Sequence, residues 1–124
     1  MTRKEIIRLA VLNSICDDGE NVDQIVLEDV RRDCSGIGPA VERAEVVQAL
    51  AGLVEDGQAK ACLLSPFPPH CVEVEGMPPM EEIEEYFKTY FFITEKGMAV
   101  HMTADWPFDS EGHLLPGLTV EQKA

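Results

Sequence analysis

Residues 2–16 carry a helical pattern: Ile6, Leu9, Ala10 and Asn13 fall at i, i+3, i+4 and i+7, and Ile7, Val11, Leu12 and Ile15 widen the apolar stripe. Thr2 with Glu5 three residues on has the arrangement of a capping box, and Asp17-Asp18-Gly19 has the composition of a turn. So broad an apolar face implies burial against more than one neighbour, the second of which could be another protomer. Residues 23–34 predict a shorter helix, with Val26, Leu27, Val30 and Cys34 toward one side. Its start has two readings, because Gln24-Ile25-Val26 also fits a short strand before a helix beginning near Leu27. Ser35-Gly36-Ile37-Gly38-Pro39 reads as a turn, with Pro39 suited to the first turn of the next helix. That third helix, about 39–56, is the clearest. Val46, Val47, Leu50, Leu53 and Val54 form its apolar face, Glu42, Glu45, Gln48 and Glu55 lie toward the other, and Asp56-Gly57 closes it.

Beyond Gly57 the period changes. Ala59–Leu64 reads as a strand, and Pro66, Pro68 and Pro69 break the chain. Cys71-Val72-Glu73-Val74-Glu75 alternates with period 2, as a short strand does. After Gly76-Met77-Pro78-Pro79, residues 79–88 predict a short helix with Met80, Ile83 and Phe87 inward and Glu81, Glu82, Glu84 and Glu85 outward. Tyr90-Phe91-Phe92-Ile93 has strand composition. Thr94 then caps a final helix running to about Met102, and an irregular tail starts around Trp106-Pro107-Phe108.

This order resembles a winged helix-turn-helix domain. The resemblance is carried by Val46-Val47-Gln48-Ala49-Leu50-Ala51-Gly52-Leu53-Val54-Glu55-Asp56-Gly57-Gln58 and by Tyr90-Phe91-Phe92-Ile93-Thr94-Glu95-Lys96-Gly97, and it covers roughly residues 3–102. In such domains the third helix ends in a leucine-rich turn and a Gly, then runs into the first wing strand. The return strand ends in a Thr-x-x-Gly-like turn that opens a further helix. The resemblance implies an α+β fold with three N-terminal helices, a small antiparallel sheet (the wing), a short C-terminal helix and a tail. The expected division is a domain over 1–103, with a long wing insert at 65–89, and a tail over 104–124 packing on the domain or on a partner. Trp106 and Phe108 either fold back onto the domain or anchor a partner.

The charge modifies what that fold implies. The chain of 124 residues has a formal net charge of -13. Residues 1–43 hold six basic and nine acidic groups, and residues 44–124 hold four and fourteen, so the excess lies beyond the first two helices. Base and phosphate contacts rest mainly on Arg and Lys. The helix that would enter a DNA groove instead offers Glu42, Glu45, Gln48 and Glu55, with Arg43 the only base between residues 40 and 59. A wing bearing Glu73, Glu75, Glu81, Glu82, Glu84 and Glu85 would face phosphates with its own negative charge. Arg3, Lys4, Arg8, Arg31 and Arg32 concentrate in the first two helices, but adjacent Arg31 and Arg32 point to different azimuths.

Length and a hydrophobic content of 45% fit one domain with a real core. No apolar run approaches the ~20 residues of a membrane span. Met1-Thr2-Arg3-Lys4-Glu5 leads into a charged amphipathic stretch unlike a signal peptide. A cytoplasmic protein is therefore expected, with reduced thiols. Cys16, Cys34, Cys62 and Cys71 make no C-x-x-C. His70-Cys71 with Cys62 offers three metal ligands, yet cysteine more commonly serves as a small buried hydrophobe. His70, His101 and His113 form no H-x-x-x-H pair, and Gly36-Ile37-Gly38 lacks the third glycine of a phosphate loop. Asp109–Leu114 fits an EF-hand loop only if Pro107 and Leu118 replace required carboxylates. The six carboxylates of Glu73–Glu85 read as solvated faces, and Pro66-Phe67-Pro68-Pro69 is too short to define a docking motif.

The expected protein is thus a non-catalytic, winged-helix-like interaction or regulatory module with no cofactor or metal and no membrane association. It has a protein partner with a basic surface, is a homodimer, and does not bind nucleic acid by this chain alone. The interaction candidates are Glu42, Glu45, Gln48, Glu81, Glu82, Glu85, Trp106 and Phe108. The alternative is a winged-helix transcriptional regulator acting as a dimer or with a basic partner, its DNA contacts drawn from Arg31, Arg32 and Arg43.

Overall fold

The structure, a computed structural model, describes residues 2–17, 19–64, 71–78, 89–110, 113 and 115. The expected helix over 79–88, with Met80, Ile83 and Phe87, lies outside them, as do Pro66–His70 and most of the tail beyond Ser110. Within them the chain is α+β, with four helices and a three-stranded antiparallel sheet.

Helix α1 spans Arg3–Ile15 and opens as its sequence dictates. The Glu5 N–H donates to Thr2 Oγ1 at 3.1 Å, and the Thr2 N–H donates to Glu5 Oε2 at 3.3 Å. Two donors that the helix cannot satisfy internally are thereby paired. Ile6, Ile7, Ala10, Val11, Leu12 and Ile15 are all buried. The wide apolar stripe is covered within the chain, by the second and third helices, the last helix and the last strand. A second protomer is not needed to explain it, which removes this feature as an argument for a homodimer.

Glu20, in extended conformation, pairs with Phe91 through two main-chain hydrogen bonds, Phe91 N–H to Glu20 O at 2.8 Å and Glu20 N–H to Phe91 O at 3.1 Å. A wide helical turn follows over Val22–Val26, in which the Val26 N–H reaches back five residues to Asn21 O. It feeds α2, Leu27–Asp33. The reading of Gln24-Ile25-Val26 as a strand before a helix near Leu27 is therefore wrong, and the reading of a helix over 23–34 is nearer: the chain is helical from Val22 and becomes regular α-helix at Leu27. The cause is the four-residue spacing of Val22, Val26 and Val30, which are all buried at 1% exposure or less. A helical path stacks all three on one side while leaving Glu28 exposed, whereas an extended chain would turn Glu28 to the same face as the valines.

Helix α3 spans Arg43–Glu55, so it begins four residues later than the expected 39. Val41 is drawn into the core, and the chain at Glu42 is still extended. The Glu42 N–H donates to Glu45 Oε1 at 3.0 Å, and the helix starts there. Pro39 consequently lies outside the first turn. Gly57, with φ +75°, turns the chain out of the helix through a left-handed conformation that suits glycine.

Strands β1 (Ala59–Leu64), β2 (Cys71–Val74) and β3 (Thr89–Ile93) are ordered β2-β1-β3. Ala61 stands opposite Phe91, and Ala59 opposite Ile93. Alternation sends Ala59, Ala61 and Phe91 to the core face, where the two alanines leave room for the buried ring. Helix α4, Glu95–Thr103, starts at Thr94, whose Oγ1 accepts from the Gly97 N–H at 3.1 Å. The core ends with Phe108, which Trp106 meets edge to face at 5.6 Å. This element order and pairing are compatible with a winged-helix-like layout.

Candidate interaction surface

In the described part of the molecule, the exposed charged groups are mostly acidic. Eleven of the exposed residues are Asp or Glu, and four are Lys or Arg. The acidic residues do not gather on α3. Successive residues of a helix turn by about 100°, so Ala44, Gln48, Ala51 and Glu55 form the ridge opposite the buried Val46, Leu50 and Leu53. That ridge carries one carboxylate, at its end, and no cation. Glu42 precedes the helix and is exposed, on a different azimuth from Gln48 and Glu55. The four residues grouped by sequence are therefore split by the structure.

Glu45 is held inside a network. Arg3, reaching from α1, donates through Nε to Glu45 Oε2 at 2.7 Å and through Nη2 to Glu45 Oε1 at 3.1 Å, the two-pronged geometry of strong guanidinium–carboxylate pairs. Arg3 Nη2 also donates to Pro39 O at 2.8 Å. The Arg3 side chain is 12% exposed and that of Glu45 30%. Glu45 thus closes the start of α3 and fastens it to α1. The sequence signal is the Glu42-x-x-Glu45 spacing, but the partner lies 42 residues away.

The hydrogen bond from Arg3 holds the Glu45 carboxyl below its ordinary 4.5, against a smaller opposing effect of burial. A carboxylate depressed in the folded state stabilises it fully above the unfolded value, and that contribution disappears as pH falls through the folded value. Glu45→Gln should therefore cost about 1.5 kcal/mol near neutral pH, the lower end of the range for hydrogen bonds to charged groups, because the pair is partly solvated. The gap from the parent should narrow as pH drops below the ordinary value of 4.5. Denaturant midpoints across a pH series test this, and a gap constant in pH would contradict it.

The other arginines are similarly engaged. Arg8 crosses α3 at Gly52 and donates to Asp56 Oδ2 at 2.6 Å. Arg43 pairs with Asp23. Arg31 Nε donates to Val41 O at 2.8 Å, and Arg32 lies 3.3 Å from Asp29 and 3.5 Å from Asp33. Arg31, Arg32 and Arg43, the DNA-contact candidates, thus each have a local acceptor. A shallow cavity of about 260 Å³ between α1 and α3 is lined by Lys4, Arg8, Glu45 and Gln48, so both signs of charge meet there.

Of the remaining candidates, Phe108 is buried and Trp106 half-buried against it, so both rings are turned toward the domain. Glu81, Glu82 and Glu85 lie outside the described residues. His101 Nε2 sits 3.1 Å from Asn13 Oδ1, and the His113 N–H donates to Asp109 Oδ1 at 3.0 Å. Among the described residues no three His, Cys, Asp or Glu side chains group as metal ligands, and no helix is long and apolar enough to cross a membrane. No protein-family model matches the chain, and no curated protein or solved structure shows significant similarity to it. The described residues define an α+β domain with a dispersed acidic surface.

Proposed function

We propose that the chain is a non-catalytic, winged-helix-like interaction module of the cytoplasm that engages a protein partner through a basic surface on that partner. One observation carries this reading. All five arginines are already met by a carboxylate or a main-chain carbonyl, while eleven exposed acidic groups stand among the described residues. Phosphate binding would have to share those arginines with the acceptors they already serve, and the α3 ridge of Ala44, Gln48, Ala51 and Glu55 would bring no cation to a groove. Association with a basic surface needs no such sharing, and it gains from long-range attraction.

The test is fluorescence anisotropy with two probes, a random DNA duplex and a lysine-rich peptide, over a salt series. The expected result is peptide binding that weakens with salt and falls several-fold in a Glu42→Lys, Glu55→Lys variant, with no DNA binding at low salt. Glu45 is left intact because it fastens α3. Duplex binding with a steep salt dependence would instead establish the transcriptional-regulator alternative.

A further inference from the structure

Taking the partner to be basic, as above, we propose that the cavity where the C-terminal ends of α1, α2 and α4 meet receives an arginine side chain carried by a short segment of that partner. The cavity measures about 570 Å³, a size that admits the arginine with the main chain on either side of it. It is lined by Asn13 from the last turn of α1, by Asp33 and Ser35 from the end of α2, and by Trp106, Asp109 and Ser110 from the chain beyond α4. Two side-chain bonds hold the three helix ends together. Ser14 Oγ donates to Asp29 Oδ2 at 3.0 Å between α1 and α2, and His101 Nε2 meets Asn13 Oδ1 at 3.1 Å between α4 and α1.

Three features of this cavity select a planar cation. A helix carries the negative end of its dipole at its C-terminus, and three such ends converge here. Three carboxylates, Asp29, Asp33 and Asp109, stand at the cavity and its rim against one guanidinium, that of Arg32. Arg32 lies 3.3 Å from Asp29 and 3.5 Å from Asp33, so its charge is offset within the rim. The third feature is an aromatic wall, made by half-buried Trp106 and buried Phe108, which meet edge to face.

Indole attracts cations more strongly than the other aromatic side chains, and a guanidinium, planar and weakly hydrated, stacks on it. Its five N–H donors need acceptors on several sides. The cavity supplies them from the carboxylates of Asp33 and Asp109 and the hydroxyls of Ser35 and Ser110. An anion would be repelled by the same carboxylates and helix ends.

Trp106 is the only tryptophan of the chain, so its emission reports on this cavity directly. The probes are a capped Gly-Gly-Arg-Gly-Gly peptide and the same peptide with citrulline, which keeps the shape and loses the charge. They are titrated into the full chain at physiological ionic strength, where distant charges are screened. The arginine peptide should change Trp106 emission saturably, with amide shifts centred on Asn13, Ser35 and Ser110. The citrulline peptide should bind roughly tenfold more weakly, the loss of a charge-assisted set of hydrogen bonds. Asp109→Asn removes one charge but keeps an oxygen for the His113 N–H, bonded at 3.0 Å, and should weaken binding several-fold. Ser35→Arg, at an exposed position, installs a competing guanidinium and should weaken it too. Amide spectra of the free variants establish that they fold.

Equal affinity for the citrulline peptide would overturn the inference, as would free arginine amide binding as tightly as the peptide, the mark of a small-molecule site. Shifts at Glu42 and Glu55, with binding lost in the Glu42→Lys, Glu55→Lys variant and kept in Asp109→Asn, would exclude the cavity and leave the basic-partner reading standing. Binding of neither the arginine peptide nor the lysine-rich peptide would overturn both.

Discussion

Replacing Gly97 with alanine should destabilise the protein by about 3 kcal/mol, the upper end of what forced overpacking costs. Helix propensity alone predicts the opposite sign, since alanine is better than glycine inside a helix by about 1 kcal/mol. The packing of α4 decides against propensity. A Cβ at residue 97 would lie far inside van der Waals contact distance of the Gln58 carbonyl oxygen and 2.8 Å from Ile93 Cγ1. That oxygen cannot yield easily, because it is main chain in the turn between α3 and β1 and accepts the Thr94 N–H at 3.1 Å. Accommodation would push the first turn of α4 outward. It would also break the bonds from Thr94 Oγ1 to Gly57 O at 2.6 Å and from Lys96 Nζ to Asp56 O at 2.7 Å. Urea titrations of parent and variant decide the matter. Unchanged or increased stability would show that the close approach is not maintained in solution.

The second large effect is expected at Phe91. Truncation to alanine should cost about 3–5 kcal/mol, the range for buried aromatic-to-alanine changes. Phe91 is fully buried, and its cross-strand neighbour is Ala61, with Ala59 two residues along on the same face. Side chains that small cannot swing in to refill the space, so the full cavity persists. Phe91→Leu should cost much less, about 1.5 kcal/mol, because most of the volume is kept. The ratio of the two losses, from the same denaturation experiment, separates cavity formation from damage to the ladder. Equal losses would mean that the ring itself is not what the core requires.

Much of this fold is legible in the sequence where the cause is local. The Thr2–Glu5 cap, the Asp56-Gly57 stop, strand Ala59–Leu64 and the Thr94 cap are each written within a few residues, and each is found in place. The failures have long-range causes. Pro39 has the look of a first-turn residue, whereas burial of Val41 keeps the chain extended as far as Glu42 and delays α3. Gln24–Val26 is ambiguous in isolation because valines spaced by four share one side of a helix and of a strand alike, and only the folded core selects the helical path. Glu45 faces solvent by azimuth, and nothing near it in the sequence announces Arg3. Gly97 belongs to a visible Thr-x-x-Gly pattern, but the need for glycine comes from the Gln58 carbonyl.

The Glu20–Phe91 pairing closes a loop of 71 residues, the difference between its two positions. The entropic cost of such closure grows only with the logarithm of length, so the contact is tolerable in the finished chain. During synthesis the order of events matters more. The three N-terminal helices emerge long before Phe91, and until it arrives the core lacks its largest buried side chain. Assembly of this domain consequently waits until Phe91 has been made. Until then its nascent helices have an unfilled apolar centre, the interval in which a growing chain is most exposed to aggregation.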